Sequence, residues 1–180
     1  MVSPQTAIEQ TRRWIFDVVI ACGFCPFAKR EMDRNTVFYR VLDDPGQLRD
    51  VVLAEWSRLD DNPEIETSLI ILTAGLHSFD NYLDQLEQLE KLLVKKGYEG
   101  VYQLASFHPG YRFADTAEDD AANFTNRSPY PMFHLLREES IEKALEHYPG
   151  DPDEIPERNI TFARKKGLAW IKNLRDNCLK

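Results

Sequence analysis

The sequence predicts an α/β fold in which a short, mainly parallel three-stranded sheet is flanked by helices; a ferredoxin-like α+β arrangement with antiparallel strands is the alternative. Three observations carry this. The runs VFYRVL (37–42), TSLIILT (67–73) and VYQLASF (101–107) have strand length and strand composition. The stretches between them carry apolar residues at helical spacing behind recognisable caps. The middle run is apolar almost throughout, as a strand covered on both faces should be. Two strand, helix, strand units in succession imply right-handed crossovers and parallel neighbours.

Taken in order, Ser3 followed by Pro4 is an N-cap with proline in the first turn, and Ile8, Thr11, Ile15, Val18 and Cys22 then recur at helical spacing. This predicts a helix to about Ala21, although the β-branched and aromatic segment WIFDVVIA also suits a strand. Gly23 permits a break, and Pro26 starts a short helical piece, PFAKREM, with Cys25 at its N-cap. After the first strand, Asp44 and Pro45 open a helix with Leu48, Val51, Val52, Trp56 and Leu59 on its apolar side. After the second, Ser78 caps a helix whose stripe runs from Phe79 to Val94 and ends at Gly97. Beyond the third strand lies a long connection, Phe107 to Arg137. Pro131 is expected to start a helix reaching Glu146, residues 149–157 form an acidic, proline-rich turn, and a last helix is expected from about Pro156 to Asn177. YRF at 111–113 is a candidate extension of the sheet.

The 180 residues, 43% of them apolar, match one domain (1–180) able to bury a core without covalent staples. A net charge of −8 gives no overall attraction for nucleic acid or an anionic membrane. The N-terminal stretch lacks the pattern of a secretory signal, and no apolar run approaches the ~20 residues needed to span a bilayer. Three cysteines, an odd number, do not form a secreted disulfide framework. A soluble cytoplasmic protein with reduced thiols is therefore expected, with neither nucleic acid nor membrane as partner.

The connection from 107 to 137 concentrates the chemistry. It holds two of the four histidines, together with arginines, carboxylates, amides and aromatics, and shows neither helical nor strand periodicity. Long irregular loops in compact domains are mostly functional or disordered, and the aromatic content here argues for order. In parallel sheets ligands bind beyond the carboxyl ends of the strands, where this loop begins and where the loop bearing His77 should also lie.

The segments GFCPFAKRE (23–31), FHPGYRF (107–113) and NFTNRSPYPMFHLLRE (123–138) resemble a family of small bacterial and plastid proteins, domain of unknown function 1415, over nearly the whole chain. The resemblance implies a shared site but no reaction. Its members more typically read Leu-Cys-Pro-Phe around the position of Cys25 and need no cysteine at that of Cys22, which counts against a dithiol mechanism.

Cys22 and Cys25 form a CxxC, and a cysteine at a helix N-cap gains from the helix dipole, which lowers thiol pKa. The inert reading is that both thiols fill apolar space. His108 and His134 are acid-base candidates, and with Cys25 they could supply three metal ligands, although no close-spaced motif supports a metal and none is expected. Asn126, Arg127 and Ser128, ahead of the expected proline-started helix, have the composition of an anion site, with Arg137 on the same helix face as His134. Their inert reading is that the arginines pair within the loop and pin it. Tyr111, Phe113, Tyr130 and Phe133 are loop anchors or pocket walls.

These residues compose an expected enzyme for a small anionic metabolite, working by thiol-based group transfer or hydrolysis. Cys25 attacks, His108 or His134 moves protons, and Tyr111, Asn126, Arg127, Ser128 and Arg137 bind the substrate. The alternatives are a redox protein using Cys22 and Cys25, and a non-catalytic module that binds a metabolite or partner protein. No cofactor is expected, and the sequence does not specify an oligomeric state.

Overall fold

The structure, a computed structural model, describes residues 2–180. Helix α1 (Pro4–Trp14) starts as its cap requires, with the Ser3 hydroxyl accepting from the Thr6 amide at 3.1 Å. It continues as a π-helical segment, Ile15–Ile20, in which the Ala21 amide reaches back five residues to the Phe16 carbonyl at 3.1 Å. The β-branched run is therefore helix, but a widened one. Helix α2 spans Ala28–Arg34 and begins after a Pro26–Phe27 turn, so Cys25 is not its N-cap as expected. Then follow β1 (Val37–Leu42), α3 (Leu48–Asp61), β2 (Thr67–Leu72), α4 (Phe79–Lys95) and β3 (Tyr102–Phe107), close to their expected bounds.

The region after β3 departs from expectation. Met132–Arg137 is a fourth strand, β4, and helix α5 occupies only Glu138–Glu146. Pro131 precedes a strand rather than opening a helix; its carbonyl accepts from the Leu72 amide at 3.0 Å, extending the β2–β4 ladder. The YRF segment at 111–113 pairs with no strand and lies in the loop. The last expected helix is two, α6 (Ile155–Lys166) and α7 (Leu168–Asn177), because Gly167 adopts φ +85°, which L-residues rarely enter.

The sheet order is β1-β2-β4-β3. β1 and β2 are parallel neighbours, whereas β4 lies between β2 and β3 and runs antiparallel to both. The sheet is thus mixed and four-stranded, neither the three-stranded, mainly parallel sheet nor an all-antiparallel ferredoxin-like one. The α/β class itself stands, and the three expected strands share one sheet. The hidden strand escaped the sequence because a central strand buried on both faces is apolar at nearly every position, and Met-Phe-His-Leu-Leu-Arg fits either period.

Alternation along the strands sorts side chains onto two cores. Ile70, Leu72, Phe133 and Leu135 face α3 and α4 with Trp56, Leu59, Tyr82 and Leu93. Leu69, Ile71 and Met132 face the other layer, with Trp14, Val18, Phe24, Ala163 and Ile171. Each large side chain withdrawn from water contributes about 1.5–3 kcal/mol. α3 is further tied down by the buried Glu55, which accepts from Arg40 Nε at 3.0 Å, Arg58 Nε at 3.1 Å and Ser68 Oγ at 2.9 Å.

Candidate functional site

The loop between β3 and β4 is ordered by its own polar groups. Arg127 donates from Nε to the Tyr111 carbonyl at 2.9 Å and from Nη2 to the Glu118 carbonyl at 2.8 Å, over the ring of Phe124. Asn126 donates to the Ser106 carbonyl at 3.3 Å and Ser128 to the Tyr130 carbonyl at 2.5 Å. Tyr111 packs its ring on Phe79 and Phe113, with centroids 5.2 and 5.0 Å away. Asn123, fully buried and overlooked in the sequence, accepts from the Phe113 amide at 3.0 Å and Thr116 Oγ1 at 2.9 Å while donating to the Ala117 carbonyl at 2.9 Å. Asp120 closes the loop onto α6 through a bidentate pair with Arg164, at 3.1 and 2.8 Å. The expected anion site has no helix N-terminus beside it, since a strand follows Pro131, and its guanidinium is committed to backbone carbonyls.

His108 is equally committed. Its Nδ1 accepts from the Gly110 amide at 2.9 Å, which leaves Nε2–H to donate to the Leu76 carbonyl, also at 2.9 Å. Burial lowers its pKa from the ordinary value. This bond joins the loop after β2 to the long loop at the carboxyl edge, as expected, but leaves the imidazole no nitrogen for proton transfer. His108 packs at a tilt against Phe79 and Tyr82, on the α4 side of the sheet.

An apolar cavity lies elsewhere. It occupies about 340 Å³ on the opposite face, toward the amino ends of β1 and β2 rather than the carboxyl edge. Its floor is Val37, Leu69, Ala105 and Leu136; its walls come from Ile15 and Val19 of the π-helical segment, Cys25 and Met32 around α2, and Ile141 and Ala144 of α5. π-helical turns recur at functional sites, and this one turns two branched side chains into the cavity. Of the expected site residues, Cys25, His134 and Arg137 line it, whereas His108, Tyr111, Asn126, Arg127 and Ser128 do not.

His134 and Arg137 belong to a strand, not a helix, so they project to opposite faces. Arg137 borders the cavity, but its guanidinium caps the carboxyl end of α3, with Nη2 donating to the carbonyls of Leu59 at 2.5 Å, Asn62 at 3.2 Å and Ile65 at 3.0 Å. His134 lies on the cavity side. Its Nε2 sits 2.5 Å from Thr67 Oγ1, whose single proton is directed to the Leu135 carbonyl at 2.6 Å. Burial pulls the His134 pKa down to about 4, so the ring is neutral near pH 7. Thr67, a partner hidden in an apolar strand, carries no sequence signal for this role.

Cys25 and Cys22 are both free, partly exposed thiols packed against the core. Burial raises the pKa of each; the amides of Phe27 and Ala28, which hydrogen bond Cys25, offset this only in part. Among the described residues, no group of three or more His, Cys, Asp or Glu is placed to hold a metal ion, and no helix is long and apolar enough to cross a membrane.

With this geometry in view, the chain matches the family described as "Protein of unknown function (DUF1415)" over residues 6–173. It belongs to that family. The span matched to DUF1415 contains every residue that lines the cavity and the whole of the self-bonded loop. No curated protein and no solved structure matches the chain.

Proposed function

We propose that the protein binds a small, mainly apolar molecule in the cavity between the sheet and the layer of α1, α2 and α5. The observation that carries this is the single imidazole of His134, neutral and with one nitrogen lacking a protein partner among the described residues, set among aliphatic and aromatic side chains in a space of about 340 Å³. A concave apolar space with very few oriented polar groups is the usual form of a small-molecule site, and this volume is at the small end of the usual range.

An anionic metabolite gains less support, because Arg127 and Arg137 are spent on backbone carbonyls. Cys25 lies against any occupant, but burial keeps its thiol protonated, which favours packing over attack. The non-catalytic binding module is therefore the better supported of the chemistries expected from the sequence.

The test is a thermal-shift comparison of neutral aromatic and aliphatic compounds with phosphorylated and carboxylated ones, on wild type and on Ala105→Leu, which fills the cavity from the position paired with His134. Stabilisation by neutral compounds that Ala105→Leu abolishes is the expected result. Stabilisation by anions alone, undiminished in Ala105→Leu, would overturn the proposal.

A further inference from the structure

The polar atoms around the cavity can be accounted for one by one. Glu31 accepts from Thr36 Oγ1 at 2.6 Å, and Glu66 accepts from Ser140 Oγ at 2.7 Å. Arg137 is held by carbonyls, Trp14 Nε1 donates to the Arg127 carbonyl at 3.2 Å, and the Cys25 sulfur is met by backbone amides. One group remains, the His134 ring, and its state is decided by its neighbour. Thr67 Oγ1 lies 2.6 Å from the Leu135 carbonyl and 2.5 Å from His134 Nε2. A hydroxyl has one proton; the carbonyl, which can only accept, takes it, so Nε2 must supply the proton of the second bond. A neutral imidazole protonated at Nε2 carries its lone pair on Nδ1.

We infer that Thr67 is a positioning residue that locks His134 in the Nε2–H tautomer, so that the cavity selects apolar molecules whose polar group donates a hydrogen bond, a neutral hydroxyl or N–H, over those that only accept. This rests on the ligand reading of the cavity and specifies its substrate class. An acceptor-only ligand leaves Nδ1 facing another lone pair in an apolar enclosure, where an unmatched polar atom is costly. Thr67 reaches Leu135 across the β2–β4 ladder, so the arrangement depends on β4 lying beside β2.

The experiment uses the intact protein with phenol as the donor probe and anisole and acetophenone as probes that only accept. Tautomers are read from imidazole nitrogen-15 NMR shifts, and affinities by titration, in wild type, Thr67→Val and Thr67→Ser. Wild type should show the Nε2–H tautomer and bind phenol about tenfold or more tightly than either acceptor probe. Thr67→Val, which keeps the shape and loses the hydroxyl, should free the ring to exchange between tautomers, so that Nδ1 can donate to an acceptor probe, and bring the affinities within about threefold. Thr67→Ser should retain the wild-type tautomer and preference, which separates the effect from loss of folding. An Nδ1–H tautomer in wild type, or tight binding of all three probes without preference, would overturn the inference while leaving the cavity reading intact. Failure of every probe to bind a protein that shows the Nε2–H tautomer would overturn the cavity reading and the inference with it.

Discussion

Asn123 Oδ1 accepts from the backbone amide of Phe113 at 3.0 Å, ten residues back along the chain, and this bond sets the course of the loop between β3 and β4. Because Asn123 is wholly buried and satisfies both an amide and a carbonyl, removing it strands several polar groups at once. Asn123→Ala should cost about 2–4 kcal/mol in urea unfolding. Hydrogen exchange should rise across residues 108–120, with α3 and β1 unaffected. Unchanged protection in that segment would show that the loop holds itself by other means.

Arg137 should behave as a helix cap. Its fork spans the carbonyls of Leu59, Asn62 and Ile65, a geometry an ammonium does not reproduce. We expect Arg137→Ala to lose about 2–3 kcal/mol of stability and Arg137→Lys to recover only part of it. Neither change should alter any thermal response to phosphorylated compounds; a response lost selectively in Arg137→Lys would return this residue to an anion-binding role.

His134 makes stability depend on pH. The unfolded chain protonates this ring near the ordinary 6.5 and the folded chain only near 4, so between these values the unfolded state binds more protons. Its contribution is intact above pH 6.5 and is lost as pH falls toward 4, by at most about 3 kcal/mol. Urea midpoints for wild type should fall across this window, and those of His134→Leu should fall less. Parallel curves for the two proteins would contradict the assignment of the effect to this ring.

Cys25 should react slowly. Burial raises its pKa and the cavity limits access, so at pH 7.5 modification by a small disulfide reagent should be several-fold slower than for an unstructured thiol. Filling the cavity with Ala105→Leu should slow it further. Reaction faster than that of a free cysteine, with a rate that plateaus below pH 7, would mark an activated nucleophile and revive the group-transfer chemistry expected from the sequence.

The elements with local causes were legible in the sequence. Ser3 and Pro4, Asp44, and Ser78 announced three helix starts because a cap is a bond between near neighbours. The strands β1, β2 and β3 were legible, though not their pairing, because a short apolar run between amphipathic helices has few other places to go. Three residues that line the cavity, Cys25, His134 and Arg137, were also picked out by residue type. What the sequence could not reveal is which groups are already spent. Arg127, Arg137, Asn126 and His108 look free in one dimension and are bonded in three, mostly to backbone carbonyls, which have no sequence signature at all. The tertiary structure alone decided that Met132–Arg137 inserts between β2 and β3. That one pairing sends His134 and Arg137 to opposite faces, brings Thr67 against the imidazole from 67 residues away, and places the cavity on a sheet face instead of an edge. Strand pairing is a contact between segments distant in sequence, so no local pattern records it.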